Sequence, residues 1–71
     1  MRINKNQLHR FKRVKKGYIY PISSGIYLSF NEKLEYIGVE MFYGYTYKKI
    51  DRIAEEKLEE LIAKDLIEVG E

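Results

Sequence analysis

Cysteine and tryptophan are absent from these 71 residues, and proline and histidine each occur once. Without cysteine there is no disulfide and no thiolate ligand, so packing alone must hold the fold; a reducing compartment suits such a chain, and the expected location is cytoplasmic. The lone His9 stands in a run of lysines and arginines with no second imidazole beside it, so neither a metal nor a cofactor is expected. Long apolar runs are missing too. Nothing approaches the ~20 residues of a membrane-spanning helix, and no apolar stretch follows the basic N-terminus as in a signal peptide, so no membrane association is expected. Ser23, Ser24 and Ser29 have only His9 to serve as a base, and the five glycines form no phosphate-binding loop, so the protein is not expected to be an enzyme.

Acidic residues are missing from the first 31 positions. That segment holds Arg2, Lys5, Arg10, Lys12, Arg13, Lys15 and Lys16, a charge of +7, whereas residues 32–71 carry 6 basic and 11 acidic side chains, a charge of −5. The whole is nearly neutral at +2. A concentrated positive field attracts polyanions even on such a molecule. With 45% hydrophobic and 34% charged residues the composition is that of a folded domain, expected as one unit over residues 1–71. A chain this short buries only about 60% of its unfolded surface, which makes a homodimer or a partner surface a candidate for completing the core.

Periodicity divides the chain into three parts. Asn4 or Asn6 can cap a basic helix over about residues 5–16, in which Leu8, Phe11 and Val14 form an apolar stripe and Gly17 ends the run. From about 18 to 47, aromatic and β-branched residues broken by PISSG, NEK and Gly44 predict two or three short strands, with GYIYP at an edge because proline cannot donate to a ladder. If Glu32-Lys33 is a two-residue loop, Leu28 faces Ile37, Ile26 faces Val39, and Tyr27 and Tyr36 share the opposite face. From about 48 to 65, Ile50, Ile53, Ala54, Leu58, Leu61 and Ile62 recur at helical spacing while Glu55, Glu56, Glu59 and Glu60 point away; Thr46 or Asp51 can cap this helix. LIEV beyond it predicts a closing strand or a frayed end. The expected fold is α+β in the order α-β-β-β-α, with an antiparallel sheet of two or three strands packed on the C-terminal amphipathic helix.

Gly25-Ile26-Tyr27 and Tyr36-Ile37-Gly38 resemble the paired motifs of GIY-YIG nucleases. The resemblance implies two tyrosines on one sheet face beside a scissile phosphate, followed by an arginine and a metal-binding glutamate. After Gly38 the chain reads VEMFYGYTYKKIDR, in which the cations come later than that arginine and no acid sits at the motif's place, so the hairpin is read as structural. YGYTYKKIDRIAEEKLEEL is in turn similar to the entry into the last helix of double-stranded-RNA-binding domains. That likeness implies phosphate contacts from Lys48, Lys49 and Arg52, although Tyr47 stands where another lysine is usual.

Cations for phosphates and flat rings for bases are the two ingredients of nucleic-acid contact. The expected function is therefore non-enzymatic binding of DNA or RNA. The candidate contacts are Lys5, Arg10, Lys12, Arg13, Lys15 and Lys16 in the basic segment, Tyr27, Tyr36, Tyr45 and Tyr47 on an exposed sheet face, and Lys48, Lys49 and Arg52 at the last helix. Phe11, Phe30 and Tyr43 are expected to pack inside. The alternative is a protein-interaction module, an inhibitor or adaptor that uses the tyrosine face or an edge strand against a protein partner.

Overall fold

The computed structural model describes residues 1–41 and 47–70, with side chains left aside at Met41 and at 47–49. Strand β1 (Arg2–Ile3) leads into a 3-10 helix (Lys5–Arg10), after which β2 (Lys12–Val14), β3 (Gly17–Ser23), β4 (Ile26–Asn31) and β5 (Tyr36–Met41) run as an antiparallel meander. Helix α1 (Tyr47–Ala63) follows, and β6 (Ile67–Glu68) returns to pair with β1. The protein is thus a small α+β domain with an antiparallel sheet and one C-terminal helix.

The basic segment is not the expected α-helix. Asn4 does cap a helical turn, its Oδ1 accepting from the Asn6 N–H at 3.1 Å, but the turn is 3-10 and stops at Phe11, whose backbone is extended at φ −108° and ψ 150°. A spacing of three residues suits that helix, which has three residues per turn. Continuing as an α-helix would stack Lys12 on Lys16 at i, i+4, and like charges there are unfavourable. As strand β2 the same residues gain a ladder instead, with Lys12 opposite Ile19, Arg13 opposite Tyr18 and Val14 opposite Gly17. Among the described residues the sheet therefore has four strands rather than two or three. Gly17 opens β3 instead of ending a helix.

GYIYP, expected at an edge, is an interior strand between β2 and β4, but β2 reaches only as far as Ile19, so among the described residues Pro21 has no strand partner on that side. The β4–β5 register also differs from expectation: Leu28 faces Val39 and Ser29 faces Gly38, then a shift puts Phe30 opposite Tyr36. This bulge at Ile37 turns Tyr36 onto the core face, where its ring lies 5.5 Å from that of Phe30. Leu28 and Ile26 keep the inward orientation expected of them and are fully buried.

The loop before β5 is built on Asn31. Its Oδ1 accepts from the Lys33 and Glu35 N–H groups, each at 2.9 Å, and its Nδ2 donates to Glu35 Oε1 at 3.0 Å. That last bond is the main reason the Glu35 carboxyl is held below its ordinary 4.5. The loop's Leu34 adopts φ 71° and accepts the Ile3 N–H at 2.8 Å, tying β1 to the hairpin.

Helix α1 obeys its periodicity. Ile50, Ala54 and Leu61 are buried, Ile53, Leu58 and Ile62 half-buried, and Glu55, Glu56 and Glu59 exposed. They close over Ile3, Phe11, Leu28, Phe30, Leu66 and Ile67, so Phe11 and Phe30 pack as expected, while Tyr43, Gly44 and the cap candidate Thr46 lie outside the described residues. At its C-terminus the Leu66 N–H reaches back to Leu61 O at 2.9 Å and the Asp65 N–H to Ile62 O at 3.1 Å. This is a Schellman turn with Asp65 in the left-handed position, at φ 59°. Asp65→Gly is expected to raise stability by about 1 kcal/mol, because the side chain resists that conformation; a urea melt checks it.

Glu60 joins two lysines on the exposed flank of α1, with Lys57 Nζ at 2.7 Å and Lys64 Nζ at 2.8 Å. Bonds from Lys57 first and Lys64 second hold its carboxyl down to about 2 from the usual 4.5. A folded value below the unfolded one gives a contribution complete above about 4.5 and lost as the pH falls toward 2. The melting temperatures of wild type and Glu60→Gln are therefore expected to differ at neutral pH and to converge near pH 2.

Candidate nucleic-acid interface

Strand pairing arranges the side chains on the two faces of the sheet. Leu28 and Phe30 point toward α1, and with them Tyr20 and Tyr18, their partners on β3. The intervening residues point the other way and form three rows across the outer face. One row reads Val14, Gly17, Asn31; the next Lys12, Ile19, Ser29, Gly38; the third Pro21, Tyr27, Glu40.

The middle of this face is a shallow groove of about 320 Å³ walled by Val14, Ile19, Tyr27 and Ile37, with Lys16 and Glu40 at its borders. Ile37 is 62% exposed, an unusual position for a large aliphatic side chain and a direct result of the bulge. At the floor Ser29 is 4% exposed, and its hydroxyl has no hydrogen-bond partner among the described residues. Gly38 lies beside it with φ 127°, and a Cβ built there would have nothing within 4 Å.

Lys15 and Lys16 form the two-residue turn between Val14 and Gly17, so both lie at one end of the outer face, and Lys12 borders it along the edge strand. All three are exposed. Cations on an edge strand also discourage pairing with a second sheet. Arg13, on the other side of β2, sets its guanidinium 5.0 Å from the centre of the Tyr18 ring. Lys5 and Arg10 are exposed on the 3-10 helix.

The remaining candidates do not gather here. Tyr27 is on the outer face, but Tyr36 is on the core side, so the two tyrosines of the GIY-YIG-like spelling stand on opposite faces. Burial first, and the nearby Asp51 carboxylate second, push the Tyr36 hydroxyl above its ordinary 10.0. Arg52 is exposed on α1, across the sheet from Lys12, and lies 3.5 Å from Glu56. Tyr45 falls outside the described residues; Tyr47, Lys48 and Lys49 form the first turn of α1, their side chains not described. Sequence reasoning missed Ile19, Ser29, Ile37 and Glu40. The one available signal was Ser29, a small polar residue inside the otherwise apolar run IYLSF.

His9 is exposed, and among the described residues no three of histidine, cysteine, aspartate and glutamate come together as a metal site. No helix among those residues is long and apolar enough to cross a membrane. Compared with known proteins, the chain matches no family model, no curated protein and no solved structure.

Proposed function

We propose that the protein binds nucleic acid through the outer face of its sheet, as a binding module without chemistry of its own. The supporting observation is the border of that face: Lys12 on the edge strand and the Lys15–Lys16 turn flank a groove walled by Tyr27 and aliphatic side chains. Phosphates need the first group and bases the second. The acidic flank of α1 is on the opposite side of the sheet, so its charge opposes a polyanion least at this surface.

The test is fluorescence anisotropy with labelled single-stranded DNA, double-stranded DNA and double-stranded RNA at two salt concentrations. Association is expected to weaken steeply with salt. Replacing Lys12, Lys15 and Lys16 together by glutamine is expected to flatten the logarithmic salt dependence on single strands by about 2, at ~0.7 for each phosphate no longer neutralised. Absence of binding to all three at low salt overturns the proposal and turns attention to a protein partner for the same face.

A further inference from the structure

We infer that the groove over Ser29 and Gly38 receives one unstacked base of a single strand, with the sugar–phosphate chain running along the Lys12 and Lys16 border. This rests on the reading of the outer face as a nucleic-acid surface and narrows it to single strands.

The first reason is the Ser29 hydroxyl. Buried polar side chains in native proteins nearly always have a hydrogen-bond partner, and Ser29, 4% exposed at the centre of the sheet, has none among the described residues. Alternation along β4 aims it away from the Leu28–Phe30 core and into the groove. An aliphatic side chain from a partner would leave that hydroxyl orphaned. The edge of a base, rich in ring nitrogens, carbonyls and amino groups, would satisfy it.

The second reason is shape. Gly38 sits next to Ser29 in the same row, and the space its missing side chain would occupy is empty to 4 Å. A flat group can therefore lie on the backbone there between Ile37 and Ile19, against the wall that Tyr27 provides. At about 320 Å³ the groove is near the lower end of the ~300–1,000 Å³ of small-molecule pockets, and so suits one base rather than a duplex edge.

Charge gives the strand its direction. Lys16 lines one border of the groove and Glu40 the other, paired across the ladder with Tyr27. A phosphate is attracted to the first and repelled by the second, so the backbone follows the β2 side while the base points toward β5. A duplex keeps its bases paired and stacked and cannot present one this way.

The experiment compares two labelled single strands of equal length, one normal and one abasic throughout, on wild type and Ser29→Ala. Wild type is expected to bind the abasic strand about tenfold more weakly. Ser29→Ala is expected to weaken the normal strand about fivefold and to leave the abasic strand unchanged. The melting temperature of free Ser29→Ala is expected to rise by about 5 °C, since an unsatisfied hydroxyl is removed. Equal, salt-dependent binding of both strands to wild type overturns the base site while leaving the phosphate surface standing. No binding of either strand overturns both, and a lowered melting temperature shows that the hydroxyl is satisfied within the chain and removes the argument.

Discussion

Gly17→Ala is expected to lose about 3 kcal/mol or more of stability, the upper part of the range for forcing an extra methyl into a packed site. A Cβ at that position would lie 2.0 Å from the Phe30 carbonyl oxygen and 3.0 Å from both the carbonyl carbon and the Cα of Asn31. All three are backbone atoms of β4, the strand that carries Leu28 and Phe30 into the core, so no side chain can swing aside to make room. Relief requires β3 and β4 to part at the Gly17–Asn31 pair, where the Lys15–Lys16 turn and the Asn31 loop also begin. A 71-residue domain has roughly 4–11 kcal/mol in total at ~0.05–0.15 kcal/mol per residue, so this one methyl threatens the fold. Gly38→Ala is the matched control. It has open space around it, and at φ 127° its cost of about 1–2 kcal/mol is conformational. Urea melts followed by circular dichroism order the three proteins; an unchanged midpoint for Gly17→Ala would refute the close approach of β3 to β4.

The elements legible in the sequence are those with one partner and a regular period. Helix α1 has a wide apolar stripe, and one core receives it, so Ile50, Ala54 and Leu61 can be assigned from spacing alone. The inward parity of Ile26 and Leu28 survives an error of two residues in hairpin register, because an even slip leaves every side chain on its own face. The bulge is not legible in this way, since one extra residue at Ile37 reverses everything before it on β5: Tyr36 goes inward and Ile37 outward. Nothing local announces that choice. It depends on Phe30 offering a ring for Tyr36 to meet and on Asn31 taking the loop's amides. The basic segment misleads for a related reason. Leu8, Phe11 and Val14 recur every three residues, which reads as one α-helical stripe, whereas the 3-10 turn brings Leu8 and Phe11 to the core and strand β2 turns Val14 to the outer face. Lys5, Lys12, Lys15 and Lys16, expected to act on phosphates, remain exposed, but strand pairing gathers Lys12, Lys15 and Lys16 about one groove and leaves Arg52 behind the sheet.

Phe11→Ala is expected to cost about 3–5 kcal/mol, as truncating a buried aromatic residue does, and to take the basic segment with it. The ring is 7% exposed and meets two others, Tyr20 at 5.3 Å with planes inclined at 54° and Phe30 at 5.3 Å edge-on at 80°. Its N–H closes the 3-10 helix on Leu8 O at 3.0 Å, and the next residue begins β2. Phe11 is thus the joint at which the chain changes from helical turn to strand while remaining docked. A basic helix lying on the surface by a narrow stripe would lose far less on the same change. Phe11→Leu keeps most of the volume and is expected to cost about 1 kcal/mol, leaving enough folded protein to study. Amide hydrogen exchange in that variant is expected to accelerate first at Lys12–Val14, and affinity for single strands is expected to fall with it, because Lys12 reaches the outer face only while β2 is paired. Exchange that stays slow at β2 while affinity drops would instead place Phe11 itself at the interface, against its burial in the core.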